Sequence, residues 1–168
     1  MRWIPFFVIS SISFLSGVYI LTNVKEFEKR RMALFSLGYL TFIGVILFTP
    51  MSFDGRSVYV MPAGAGSVNI HRIYYDLGFI ENIILTIPLG YLIKEYFAEI
   101  SLFDVIPIGL IVGASIETLQ FYLSHLFLIN RTSDISDVIS NGVGIFIGAS
   151  LFLVYQYASK KRLFEKWI

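Results

Sequence analysis

Three stretches of the chain contain no charged residue over 22 consecutive positions, and this constrains the fold more than any other feature. They are Trp3–Val24, Met32–Phe53 and Val138–Ser159. A helix needs about 20 apolar residues to cross the hydrocarbon core of a bilayer. Only 15% of all residues are charged, whereas soluble domains carry about 25%. The sequence therefore predicts an integral membrane protein.

Two further stretches are candidates for spanning helices. Val105–Asn130 is as long as the first three and is interrupted by Glu117 near its midpoint. Asn82–Ile93 has only 12 uncharged residues, so it spans when a few flanking residues are added, or it is a re-entrant segment. Pro88 and Gly90 inside it predict a kink or an unwound turn. We predict an all-α, polytopic bundle of about five transmembrane helices.

The distribution of basic residues predicts the orientation of this bundle. With the N-terminus outside and the C-terminus inside, nine lysines and arginines fall on the inner side and four on the outer side. The four outer residues are Arg2, Arg56, Arg72 and Arg131. Basic residues accumulate on the cytoplasmic side of membrane proteins. The sequence therefore predicts an N-out/C-in topology.

Length and composition predict one membrane domain covering residues 1–168. The absence of cysteine excludes disulfides and thiolate chemistry, and a net charge of +1 gives no indication of nucleic-acid binding. The long connection Pro50–Gly78 is rich in Gly, Ser and Tyr and is a candidate functional loop. The oligomeric state is not predicted.

Polar residues recur at helical spacing inside the apolar stretches. Glu117, Gln120 and Ser124 share one helix face. A second stripe contains Asp134, Asp137 and Asn141, followed by Gly144 and Gly148, and Glu81 and Asn82 begin a third helix. With the predicted topology, all three groups fall in the outer half of the membrane. Polar groups are costly in hydrocarbon, so they usually face a bundle interior and indicate a site.

Two chemistries fit such a pocket. Glu117, Asp134 and Asp137 offer hard oxygen ligands suited to Mg²⁺ or Ca²⁺. Alternatively, Arg131 pairs with the aspartates and orders a pocket that binds a polar head group. A purely structural interpretation stays open, in which the aspartates cap a helix, Glu117 and Gln120 join helices, and the glycines permit close packing.

Three sequence blocks resemble the VanZ-like membrane proteins, a family named for a teicoplanin-resistance protein. They are Glu81-Asn-Ile-Ile-Leu-Thr-Ile-Pro-Leu-Gly90, Glu117-Thr-Leu-Gln120 and Arg131-Thr-Ser-Asp134-Ile-Ser-Asp137-Val-Ile-Ser-Asn141-Gly-Val-Gly144. The likeness covers about residues 68–158, with a VanZ-like region of about 32–158 and an additional helix at 3–24. The family often has Asn-x-x-Pro-Phe before the first block, whereas Asn69 here is not followed by Pro-Phe, so no role is assigned to it.

The resemblance implies a bacterial plasma membrane protein that contributes to low-level teicoplanin resistance. The family's motif residues correspond to Asn82, Glu117, Gln120, Arg131, Asp134, Asp137 and Asn141. We expect these residues to form an outward-facing pocket for a lipid-linked or lipid-tailed ligand. The alternatives are a metal-dependent enzyme acting on a phosphorylated or acylated lipid carrier, an ion-coupled transporter with Glu117 as proton site, and a membrane scaffold.

Overall fold

The computed structural model describes residues 1–53 and 56–165, with side chains up to residue 159. The helices are α1 (Ile4–Asn23), α2 (Phe27–Phe48), α3 (Leu77–Tyr96), α4 (Leu102–Phe127) and α5 (Ile135–Glu165). The short strands are β1 (Met51–Phe53), β2 (Val58–Val60), β3 (Val68–Asn69) and β4 (Ser133–Asp134). All five helices are long and apolar enough to cross a membrane, α5 over Ile135–Ser159. The predicted all-α class and the five spans are confirmed, and the protein is a multi-pass membrane protein.

The second predicted span has different bounds in the structure. Helix α2 begins five residues earlier than the uncharged stretch, because the charged residues before it form its first turns and pair at i,i+3, as Arg31 does with Glu28. It ends at Phe48, since Thr49 is extended and precedes Pro50, a residue that restricts its predecessor to extended conformations. The last residues of the predicted span therefore lie in β1.

The third helix is continuous over 20 residues, which is long enough to cross and favours the extended interpretation over a re-entrant one. It runs through Pro88 without the unwound turn that the sequence suggested. Asp76 caps its first turn by accepting a hydrogen bond from the backbone N–H of Phe79 at 3.1 Å, a usual role for aspartate at a helix start.

The chain divides into two compact units. The first contains Met1–Ile70 and Ile116–Asp134, and the second contains His71–Ser115 and Ile135–Ile168. In the first unit, α1 packs along α2 through a hydroxyl contact of 2.7 Å between Ser13 and Thr41.

In the second unit, α3 and α4 each approach α5 through glycine. A Cβ atom on Gly90 would lie 1.9 Å from the carbonyl oxygen of Ile145, and one on Gly148 would lie 1.9 Å from that of Ile87. A Cβ atom on Gly113 would lie 2.6 Å from the carbonyl oxygen of Val138. These distances leave no room for a side chain, so the glycines provide close backbone packing. The small-residue spacing predicted this for Gly148 but not for Gly90, which was expected to mark a kink or an unwound turn.

Candidate functional site

The polar stripe on α4 is buried, as its spacing predicted. Glu117, Gln120 and Ser124 are 7%, 5% and 0% exposed. They lie in the half of α4 that belongs to the first unit. Each side chain binds main-chain groups of another segment, so the stripe is a set of anchoring points inside an apolar helix.

Glu117 and Asp134 are brought together by β4, which ends at Asp134 before α5 begins, so Asp134 is not part of the predicted stripe on the fifth helix. The backbone N–H of Asp134 donates to Glu117 Oε2 at 2.8 Å, and Ser133 Oγ donates to the main-chain oxygen of Glu117 at 3.0 Å. The Asp134 carboxylate is itself held by Asn69, whose Nδ2 lies 2.9 Å from both Oδ1 and Oδ2. We call Asn69, Glu117 and Asp134 the acid cluster.

Asn69 is the residue of the acid cluster that sequence reasoning missed. It is paired with Asp134 in the short parallel ladder of β3 and β4, so the backbone register places the amide beside the carboxylate. The sequence did contain a signal for this role, because the family often has an asparagine at this position. The missing Pro-Phe led to no role being assigned to it.

The loop that carries Asn69 packs closely on the turn after α4. Gly66 has φ of +71°, and a Cβ there would lie 1.8 Å from the main-chain oxygen of Arg131. Only glycine combines this backbone conformation with so close an approach. Ser133 N–H also donates to the Ser67 carbonyl at 2.9 Å. The Gly-rich segment therefore fixes the strand that delivers Asn69.

Gln120 and Arg131, two further residues of the family's motifs, cap the buried end of α2. The last four carbonyls of a helix have no partner within it, and polar side chains supply partners for three of them here. The main-chain oxygens of Val45, Ile46 and Leu47 accept hydrogen bonds from Thr49 Oγ1, Arg131 Nη2 and Gln120 Nε2, respectively. Gln120 thus joins α4 to the end of α2, and Arg131 joins the turn after α4 to the same helix end.

Arg131 makes further contacts beyond the helix end. Its guanidinium donates to the main-chain oxygens of Thr49 and Met51 and to Ser52 Oγ. Burial lowers the pKa of Arg131, and the nearby Tyr59 opposes that shift, yet an arginine stays protonated in proteins. A cation at a helix C-terminus is also favoured by the helix dipole. The suggested pairing of Arg131 with the aspartates was wrong, because the guanidinium donates its hydrogen bonds to main-chain carbonyl oxygens at the end of α2 and in β1.

The remaining predicted residues lie in the second unit. Asn82 and Asp137 are half-buried. Asn141 is 1% exposed, and its side-chain oxygen and nitrogen have no hydrogen-bond partner among the described residues. Thr86, which sequence reasoning did not single out, is fully buried and donates to the main-chain oxygens of Asn82 at 2.7 Å and Asn141 at 3.2 Å.

The candidate residues are therefore divided between the two units. The first unit brings together Glu117 and Asp134 and uses Gln120 and Arg131 at the end of α2. The second contains Asn82, Asp137 and Asn141. Within the described part of the chain, no group of three or more His, Asp or Glu side chains could hold a metal ion. The structure supplies no ligand set for a divalent cation there, and the cation stays an untested prediction.

Comparison with known proteins identifies the family. The profile of the VanZ/LLP1 family matches residues 3–156. The chain belongs to the VanZ/LLP1 family. The match takes in α1, which the sequence had set apart as additional. The chain is also similar to Protein VanZ of Enterococcus faecium, with 36% identity over 85 residues, which are 50% of each chain. It thus spans about half the length of that relative. No solved structure matches.

Proposed function

We propose that this VanZ/LLP1 family member binds a lipid-tailed glycopeptide, or a lipid-linked cell-envelope precursor, and thereby contributes to low-level teicoplanin resistance. The acid cluster is the observation that carries the proposal. Glu117 is 7% exposed within a helix long enough to cross a membrane. Carboxylates in such places are costly and usually functional.

Asp134 is the group of the acid cluster that meets the ligand. Its side chain is half-buried, and Asn69 and the β3–β4 register orient its carboxylate. A glycopeptide head group offers hydroxyl and amide N–H donors that a carboxylate accepts, while its lipid tail stays in the bilayer. Hydrogen bonds to a charged acceptor contribute about 1.5–3 kcal/mol each, so one fixed carboxylate can select a head group.

The expected location of the acid cluster in the membrane rests on the predicted topology. The excess of basic residues on one side of the membrane supports N-out/C-in, and with this orientation we expect the acid cluster in the outer half of a bacterial plasma membrane. A lipid-tailed antibiotic arriving from outside, and a precursor exported to the outer leaflet, both reach that depth. The similarity to a VanZ protein supports the same class of ligand.

The proposal is tested by antibiotic susceptibility. The wild-type chain, Asp134→Asn and Asn69→Leu are expressed in a teicoplanin-susceptible bacterial host, with Glu99→Gln as a matched control. Glu99 is an exposed carboxylate in the turn between α3 and α4. We expect the first two substitutions to return the inhibitory concentration to that of the empty vector at unchanged protein level, and Glu99→Gln to behave as wild type. Full resistance in Asp134→Asn would refute the assignment.

A further inference from the structure

The hairpin formed by β1 and β2 has two chemically different faces. Its antiparallel register pairs Met51 with Val60, Ser52 with Tyr59 and Phe53 with Val58. Residues directly opposite each other on such a pair share a face, and successive residues alternate. One face therefore carries Ser52 and Tyr59. The other, here called the apolar face, consists of Met51, Phe53, Val58 and Val60.

Arg131 fixes which face is turned toward the protein. Its Nη1 donates to Ser52 Oγ at 3.4 Å, and its Nη2 donates to the main-chain oxygen of Met51. Tyr59, on the same face as Ser52, lies near enough to interact electrostatically with the guanidinium. The face with the polar groups is therefore held against Arg131, and the opposite face is directed away from it.

The apolar face is open. Phe53, Val58 and Val60 are 43%, 55% and 53% exposed, and Met51 is half-buried. On the opposite face, Ser52 is half-buried and Tyr59 is 43% exposed, so the two faces differ in their polar contacts and not in exposure alone. A two-stranded hairpin is marginally stable in water unless one face packs against something. The strands have only three residues each, which adds to the need for a covering surface.

The position of the hairpin indicates what covers it. The uncharged part of α2, residues 32–48, has a length of about 26 Å at 1.5 Å per residue, which is slightly less than a hydrocarbon core of about 30 Å. Strand β1 begins three residues after the end of α2. Three extended residues reach at most about 10 Å, so the hairpin lies at the membrane boundary.

We propose that the apolar face contacts the lipid interface at the end of α2. The hydrogen bonds of Arg131 to Ser52 and Met51 hold the hairpin in this orientation. Phe53 gives the face a large apolar side chain, and its transfer from water to an apolar surrounding is favourable. Four side chains are too small a surface for a stable protein interface, which buries about 800 Å² on each partner. Contact with the lipid that already surrounds α2 does not require a surface of that area.

The experiment uses the absence of cysteine from the chain. Val58→Cys, Val60→Cys and Ser57→Cys are each labelled with a nitroxide in the full-length protein, reconstituted in phosphatidylcholine–phosphatidylglycerol vesicles. Ser57 is an exposed residue in the turn and serves as the matched control. Collision with oxygen reports lipid contact, and collision with a water-soluble nickel chelate reports contact with water.

We expect the oxygen-to-nickel collision ratio at residues 58 and 60 to exceed that at residue 57 by about threefold or more. Equal and low ratios at all three positions would place the face in water and overturn the proposal. Low collision with both reagents at residues 58 and 60 would show a covering protein, such as a second copy, and would overturn it equally. Because Val58 and Val60 belong to the same face, either labelled variant alone decides between these outcomes.

Discussion

Replacing Arg131 with methionine removes the cap of α2 while keeping a long side chain. The substitution deletes the donors to the main-chain oxygens of Ile46, Thr49 and Met51. Ile46 is 7% exposed and Thr49 is fully buried. Their carbonyls would lose a charged donor where little water can replace it.

The structure allows a rough magnitude. A hydrogen bond from a charged group contributes about 1.5–3 kcal/mol, and a buried acceptor left unsatisfied costs about 1–3 kcal/mol. These terms are not additive for one guanidinium, so we expect Arg131→Met to lower the free energy of unfolding by about 3–5 kcal/mol. The favourable interaction of the cation with the end of the helix is lost as well.

The assay is thermal unfolding followed by circular dichroism of the purified protein in detergent. About 2–4 °C per kcal/mol applies to chains of this length, so the midpoint should fall by roughly 10 °C. Arg131→Lys should recover part of the loss, because an ammonium lacks the planar fork of donors. The matched control is Arg31→Met, which breaks an exposed i,i+3 pair with Glu28 and should cost less than about 1 kcal/mol. Equal midpoints for Arg131→Met and Arg31→Met would refute the capping role.

Three further predictions concern packing, the unpaired amide and metal. Gly90→Ala should lower the free energy of unfolding by about 1–3 kcal/mol through overpacking against Ile145. Gly38→Ala should leave the unfolding midpoint unchanged, because no atom lies within 4 Å of the position that its Cβ would take; equal midpoints for the two variants would contradict the packing. Asn141→Leu removes a buried amide without a partner among the described residues, so thermal unfolding should show equal or greater stability, and a clear loss would mean that the amide is paired in the membrane. Chelation with EDTA should leave the unfolding midpoint of the purified protein unchanged, and elemental analysis should find no stoichiometric divalent cation; a bound ion whose removal lowers the midpoint would instead support the metal-dependent enzyme.

The spanning helices were predictable because hydrocarbon imposes a length and excludes charge. Three uncharged stretches, the longer one interrupted by Glu117 and the short one around Pro88 located the five helices, and the spacing of Gly144 and Gly148 predicted close packing. The bounds of α2 were not predictable from charge alone, since Glu28 and Arg31 extend the helix beyond its apolar part. What ends it is local, namely an extended Thr49 before Pro50.

The burial of the polar stripe on α4 was predictable from the sequence, but its hydrogen-bond partners were not. The spacing of Glu117, Gln120 and Ser124 gave a buried face, which the structure confirms. Sequence could not show that Gln120 and Arg131 meet the end of α2, because those contacts join residues 73 or more positions apart. Charge complementarity favoured aspartates for Arg131, whereas unsatisfied helix carbonyls compete equally for a cation.

The contact of Asn69 with Asp134 also could not be predicted, because it joins residues far apart in the sequence. Its role depends on a parallel pairing between two-residue strands separated by more than 60 positions, and strands so short give no periodic signal. Only the structure therefore shows that Asn69 orients Asp134. The spacing of residues within either segment could not predict this contact.

The most direct test of the acid cluster is the affinity of the purified protein for teicoplanin. Wild type and Asp134→Asn are compared in lipid nanodiscs by a titration that yields Kd. Loss of one charged hydrogen bond of about 1.5–3 kcal/mol corresponds to a Kd raised by about tenfold or more, with Glu99→Gln binding as wild type. Saturable binding that is weakened in this way is the predicted result. Equal affinity of wild type and Asp134→Asn would contradict the account, and no saturable binding by the wild type would exclude the glycopeptide as the ligand.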